Sequence, residues 1–258
     1  MSEDLFEYRG FKIPVHLVEK TGAGTDTFDA ISAWHIDVLK SQIGIQPDDA
    51  VVEIGCGIGR DAIPLTQILS DKGSYMGTDV IRESITWCQT NITPKHPNFT
   101  FIWHDISDDL HNPDGHLHAN DVRLRKEDQS TDLIILQSVF THMFEDEIVH
   151  YLKEFRRILK PSGKVWTSVF IVDDTILEQV RIHAPTTYAL SFHEAYGDGC
   201  FINSKASSRG AVAFTREAID RMVAASGMEL VREPLKGSWS GIWPEPEFGQ
   251  DVLILKSA

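Results

Sequence analysis

Apolar and polar positions change their period several times along the 258-residue chain. Residues 5–25 follow no clean period and carry Pro14 and the run Thr21-Gly22-Ala23-Gly24. That composition predicts an irregular arm outside the core. From Asp26 onward, Phe28, Ile31, Trp34, Ile36, Val38 and Leu39 fall mostly at helical spacing until Gly44 and Pro47, so a helix should precede the first strand. The apolar run Ala50–Ile54 reads as a short strand. Residues 58–69 read as a helix, bent where Pro64 enters its early part. A strand at Ser74–Thr78 ending on Asp79, a helix at Arg82–Asn91 and a strand at Phe99–Trp103 ending near Asp105 continue the alternation. Such alternation predicts a parallel sheet with helices on both faces.

Residues 107–130 break the rhythm with a polar stretch containing Asn112-Pro113-Asp114-Gly115 and three histidines, His111, His116 and His118, and read as a long surface loop or hairpin. A buried strand at Thr131–Gln137, an amphipathic helix at Glu145–Leu159, a turn at Lys160–Gly163 and a strand at Lys164–Phe170 follow. Residues 171–213 form an excursion, apolar at first and then rich in His, Tyr, Gly and Ser. A helix at Thr215–Ser226 ends at Gly227, and two strands, Met228–Arg232 and Asp251–Leu255, flank a connection rich in Pro, Gly and Trp. With no room for a crossover helix in that connection, the two strands should pair antiparallel.

Composition is ordinary for a globular chain, with 42% apolar and 24% charged residues, and the length suits one α/β domain. The formal charge of −14 would repel phosphate backbones and anionic lipid, so nucleic acid and membranes are not expected partners. No apolar run approaches the roughly 20 residues of a membrane helix, and the acidic, aromatic start is unlike a secretory signal, so the cytoplasm is the expected location. Cys56, Cys88 and Cys200 are odd in number and widely spaced, which predicts reduced thiols rather than a disulfide framework or zinc ribbon. The loop histidines lack a firm ligand spacing, and no metal is expected.

The chemistry concentrates at strand ends. Val51–Arg60, V-V-E-I-G-C-G-I-G-R, runs from a strand through Glu53 into glycines at 55, 57 and 59. In an open α/β sheet, ligands bind beyond the carboxyl ends of the strands, where strand order reverses. Backbone amides at the glycine turn can meet the polar tail of a ligand, Asp79 can accept from two ribose hydroxyls, and Asp105 can accept from an exocyclic amine beside Ile106. Together these describe an adenosine site. Asp79 can equally cap the helix from 82, and Asp105 the following turn. An NAD site and its oxidoreductase chemistry are the alternative, but the dinucleotide pattern wants glycine where Arg60 stands.

With G-x-G-x-G and Glu53 ahead of it, the chain resembles the class I S-adenosylmethionine-dependent methyltransferases. E-I-G-C-G-I-G is similar to their first motif, Asp79 to their ribose-binding acid, and His104-Asp105-Ile106 to their adenine contact. Q-S-V-F-T-H-M at Gln137–Met143 and Y-L-K-E-F-R-R-I-L-K-P-S-G at Tyr151–Gly163 look like the branch acting on small molecules, including natural products and sugars. The resemblance implies a Rossmann-like, doubly wound, mostly parallel seven-stranded sheet in the order 3-2-1-4-5-7-6. It would be organised as a single domain: residues 1–25 an arm, 26–170 the cofactor-binding core, 171–213 an acceptor-pocket insertion, and 214–258 the closing helix and strand pair. It implies S-adenosylmethionine as cofactor and S-adenosylhomocysteine as product. Expected cofactor contacts are Glu53, Gly55, Cys56, Gly57, Gly59, Asp79, Val80, Asp105, Ile106 and Gln137.

For a hydroxyl acceptor, favoured over nitrogen, a base is useful, and His142 after the fourth core strand is the first candidate, with His193 the second. His142 can instead be a cap of the helix from 145. Phe140, Tyr196, Asp198, Trp239 and Trp243 are the expected acceptor contacts. A methyltransferase-like binding subunit without turnover is the non-enzymatic alternative. The residues leave the oligomeric state open, a homodimer included.

Overall fold

In the computed structural model, which describes residues 4–108, 110–182 and 189–258, alternating side chains of each buried run supply two different cores. Val51, Tyr75, Leu133, Ile135 and Trp166 pack on one face. Their chain neighbours Val52, Met76, Ile134, Leu136 and Val165 pack on the other. That two-sided burial is what a strand period of two produces in a sheet covered on both faces. The strands are β1 (Ala50–Ile54), β2 (Ser74–Asp79), β3 (Phe99–Trp103), β4 (Thr131–Leu136), β5 (Leu159–Val169), β6 (Met228–Leu230) and β7 (Asp251–Ser257). They form one seven-stranded sheet in the order β6-β7-β5-β4-β1-β2-β3. β1 to β5 pair in parallel, and β7 runs antiparallel to both β5 and β6. The expected 3-2-1-4-5-7-6 order and antiparallel end are the ones observed.

The first face is covered by the helices Phe28–Val38 and Arg82–Asn91, the second by Glu145–Ile158 and Arg216–Ser226. Thr215 accepts from the Ala218 N–H to start the last of these, and Gly227, at φ 70°, ends it. Chain order reverses between β1 and β4, so the carboxyl ends of β1, β2 and β4 open onto a common crevice.

Several local expectations need correction. The arm before residue 26 is ordered: Leu5–Tyr8 pairs with Phe11–Pro14, a short helix covers Val15–Glu19, and Tyr8, Phe11, Ile13, Leu17 and Val18 are buried. Tyr8 packs edge-on against Phe28 at 5.0 Å, a contact no local pattern reveals. The helix after the glycine turn shortens to Ala62–Leu65. Lys160–Gly163 belongs to β5, as a bulge opposite Asp132, whose carboxylate accepts from Lys160 Nζ at 2.6 Å.

In the 107–130 loop, Ala119, Val122 and Leu124 are buried under the second core. The excursion has a core of its own. Ile171–Val172, Val212–Thr215, Cys200–Ile202 and Glu194–Gly197 form a small four-stranded sheet in that spatial order. Phe170, Phe192, Val180 and Trp239 pack beside it, while residues 183–188 lie outside the described residues.

Candidate active site

The crevice at the order reversal holds a cavity of about 370 Å³, within the usual range for small-molecule sites. Its floor is the glycine turn. Gly55 sits at φ 75°, where a Cβ would lie 2.5 Å from Val139 Cγ2, so both conformation and space demand glycine. The Gly55 and Cys56 amides donate to the Thr78 carbonyl at 2.8 and 3.0 Å, tying the turn to the end of β2. Gly59 points elsewhere: a side chain there would meet Ile92 and Cys88, so its role is packing under the turn and it does not line the cavity.

Asp79 closes the other side. Its Oδ2 accepts from Gly57 N at 2.7 Å and its Oδ1 from Ile81 N at 2.8 Å. One carboxylate thus braces the glycine turn and the entry to helix Arg82–Asn91. Burial pushes its pKa up, and the backbone donors oppose that shift. Glu53 is 3% exposed and accepts from the Tyr75 hydroxyl. Burial, reinforced by Asp61 and Asp79, pushes Glu53 up to about 8, so the cavity wall carries an acid that is largely protonated at neutral pH.

Next to it, His35 Nδ1 and Asp61 Oδ2 form a buried pair at 2.7 Å. Burial alone would raise Asp61, but His35 and Arg60 more than offset it and hold the carboxyl low. Pattern reading missed this pair, because its members lie 26 residues apart on different elements.

Glu53, Gly55, Cys56 and Gly57 line the cavity, as do Asp79, Val80, Ile106 and Gln137. Asp105 does not. Its carboxylate turns outward to His116 Nδ1 at 2.8 Å and Asn112 Nδ2 at 3.1 Å, hydrogen bonds that hold its pKa low. Two other loop side chains, His104 and His111, line the wall in its place.

His142 also lines the cavity, with Met143, Glu147, Tyr151 and Arg209. Burial lowers the His142 pKa, and its Nδ1 lies 2.8 Å from the Arg209 main-chain oxygen. The other expected acceptor contacts are absent from this wall. Phe140 is 1% exposed and stacks on Phe155 in the core. Trp239 is fully buried, its Nε1 donating to Asp251 Oδ2 at 2.7 Å. Trp243 lies under Lys236, and Asp198 pairs with Arg221 at 3.2 Å. His193 is exposed, and Tyr196, 54% exposed, stacks on Phe144 at 4.4 Å outside the cavity. Among the described residues of the excursion it is Arg209 that enters the wall, and of those of the arm, Lys20, Thr21 and Gly22.

Two donors on this lining, Arg60 Nε and Gln137 Nε2, are buried without a hydrogen-bond partner among the described residues, Arg60 Nε lying 3.9 Å from Asp61 Oδ1. Buried donors normally have partners, so both fit a ligand with acceptor atoms at that end. Arg60 beside Glu53 suits a zwitterionic tail, and Asp79 suits a pair of hydroxyl donors.

Residues 51–163 match the family model described as a methyltransferase domain. Those residues, less than half of the chain, are similar to that domain, and the seven-stranded sheet around them has the class I methyltransferase order. S-adenosylmethionine is the cofactor of that family, with S-adenosylhomocysteine as product. The chain is similar in fold to a SAM-dependent methyltransferase of Aquifex aeolicus, with a TM-score of 0.53, 13% identity, and coverage of 95% of this chain and 97% of that one. In sequence it is 26% identical over 188 residues to the human tRNA N(3)-cytidine methyltransferase, covering 70% of this chain and 42% of the relative. It is also 26% identical over 135 residues to the arsenite methyltransferase of Aquipseudomonas alcaligenes, covering 51% of this chain and 35% of that protein. The chain thus spans less than half the length of these two relatives. Among the described residues no helix is long and apolar enough to cross a membrane.

Proposed function

We propose that the protein transfers the methyl group of S-adenosylmethionine to a hydroxyl of a small molecule, a natural product or sugar. The observation that supports this reading is one cavity lined both by Glu53 to Gly57 with Asp79 and by His142, a histidine whose pKa burial lowers. The bound cofactor supplies a methyl group already activated on a sulfonium. The protein therefore has to hold donor and acceptor in line, exclude water and receive one proton.

Asp79 receives the ribose hydroxyls, and Val80, Ile106 and Ala119 offer the purine an apolar wall. Arg60, Glu53 and Gln137 take the amino-acid tail: the Arg60 guanidinium faces its carboxylate, and Glu53 ionises against its ammonium. The arm packs Thr21 against Gly57 and covers that end, Lys20 being held there by Glu83 at 2.9 Å. His142 takes the proton from the acceptor hydroxyl. Because burial lowers its pKa, it is unprotonated and ready to accept at neutral pH. The excursion, through Arg209, completes the acceptor end.

A polynucleotide acceptor, as named for the tRNA methyltransferase relative, is the competing class. The charge of −14 works against it, and the cavity's Lys20 and Arg209 are both matched by carboxylates, Glu83 and Glu147. The test is calorimetry with S-adenosylhomocysteine against NAD, followed by an acceptor screen with methyl-labelled donor on small hydroxylated molecules and on tRNA. S-adenosylhomocysteine binding and label on a small molecule are expected, and His142→Ala should keep that binding while losing rate. Tight NAD binding without the homocysteine product, or label on tRNA alone, would refute the reading. Binding with no turnover on any acceptor would favour a non-catalytic subunit.

A further inference from the structure

His142 meets the cavity with one ring nitrogen already committed. Its Nδ1 lies 2.8 Å from the main-chain oxygen of Arg209, a residue 67 positions away. A carbonyl oxygen only accepts, so Nδ1 carries the proton and Nε2 carries the lone pair. Free imidazole side chains in water favour the opposite tautomer, so this one is imposed by the protein.

The Arg209 side chain is itself held in place. Its guanidinium donates from Nη1 to Glu147 Oε2 at 2.7 Å and from Nη2 to Glu147 Oε1 at 2.9 Å, a two-point grip with little rotational freedom. Nη1 also reaches the His142 main-chain oxygen at 3.4 Å. The same guanidinium lies over the Phe144 ring at 4.8 Å, and Phe144 stacks on Tyr196 at 4.4 Å with 12° between planes. Residues 142–147 and residue 209 are therefore locked to each other from both sides: main chain to side chain in one direction, side chain to main chain in the other.

We propose that Glu147 is a positioning residue. By anchoring Arg209 it holds His142 as the Nδ1–H tautomer, leaving Nε2 as the atom that accepts the acceptor's proton. This rests on the reading of His142 as the base. The proton taken up at Nε2 turns the ring into an imidazolium that keeps its Nδ1–H bond to the Arg209 oxygen and later releases the Nε2 proton to solvent. The excursion thereby contributes to the chemistry without placing a reacting side chain of its own, since the excursion must be docked for the histidine to present the correct nitrogen.

Glu147 also accepts from the Phe144 N–H at 3.0 Å and caps the helix that begins at Glu145, so loss of activity alone would not separate positioning from capping. The tautomer does. In protein labelled with ¹⁵N-histidine, long-range proton–nitrogen correlation at neutral to mildly basic pH reads both ring nitrogens of His142, identified by their loss in His142→Gln. Wild type should show a protonated, pyrrole-type Nδ1 and a pyridine-type Nε2. Glu147→Gln, which keeps an oxygen for the Phe144 cap, should give a mixture of tautomers. Its kcat should fall about tenfold or more, with the KM for S-adenosylmethionine within about twofold of wild type.

A wild-type spectrum with the proton on Nε2 overturns the proposal without any variant. So does a Glu147→Gln spectrum identical to wild type, whatever its activity. The base reading fails separately, through full turnover by His142→Ala, and that outcome leaves the tautomer measurement standing as a structural fact while removing its catalytic consequence.

Discussion

Replacing Asp79 by asparagine keeps the side-chain shape and exchanges one anionic oxygen for an NH2 group. In the folded protein the two oxygens accept from Gly57 N at 2.7 Å and Ile81 N at 2.8 Å, so the amide must set its NH2 against one of two backbone donors. A hydrogen bond to a charged acceptor contributes about 1.5–3 kcal/mol, and one such bond is lost. Part of that loss is returned, because burial disfavours the carboxylate and a neutral amide is cheaper to bury. The expected cost to the free protein is therefore about 1–2 kcal/mol. The cost to cofactor binding is larger: two ribose hydroxyls that would both donate to a carboxylate find a single neutral acceptor. About 1.5–3 kcal/mol of binding energy corresponds to a roughly 10- to 150-fold weaker Kd.

The assay is calorimetry with S-adenosylhomocysteine, paired with thermal unfolding of the ligand-free protein. A Kd within about threefold of wild type, together with a lowered Tm, would refute the ribose role and leave Asp79 as a brace between the glycine turn and the helix start.

Two further outcomes test the electrostatics and the core. Glu53 is raised from 4.5 to about 8 in the folded state, so the folded chain holds a proton that the unfolded chain has released, and stability should fall as pH rises through that window. The slope approaches about 1.4 kcal/mol per pH unit, and urea unfolding of Glu53→Gln should show it flattened; an unchanged slope would place the titration elsewhere. Trp239→Phe removes a donor from buried Asp251, which would still accept from Gly237 and Ile171 backbone amides, and should cost about 1–3 kcal/mol of stability while the acceptor KM stays within about twofold. An acceptor KM that rises with no loss of stability would return Trp239 to the acceptor wall.

What could be read from order alone was whatever depends on near neighbours in sequence. The period of two in Val51-Val52 and Leu133–Leu136, the 3.6-residue stripe of Glu145–Ile158 and the link before β7, which has no crossover helix, each encode a local geometry, and those geometries leave few ways to stack the sheet. The glycines at 55 and 57 and the acids at 53 and 79 fall at strand ends for the same reason, so their place in the cavity lining was legible from the sequence.

Side-chain direction and long-range docking were not. Asp105 occupies the strand end that was expected of it, but His116 and Asn112 turn its carboxylate out of the cavity. Trp239 and Phe140 have the composition of a binding wall and are core instead, since a large ring contributes most where it is fully removed from water. Arg209, Glu147 and the arm residues Lys20 to Gly22 carry no motif at all, and they reach the cavity because elements 62 to 67 residues apart, or at the opposite end of the chain, pack against one another. The sequence by itself determined the sheet and the glycine turn that lines the cavity, because both are consequences of short-range periodicity. Only the tertiary structure decided the rest of the cavity wall, because that wall is assembled from contacts whose energy exists only after the chain has folded.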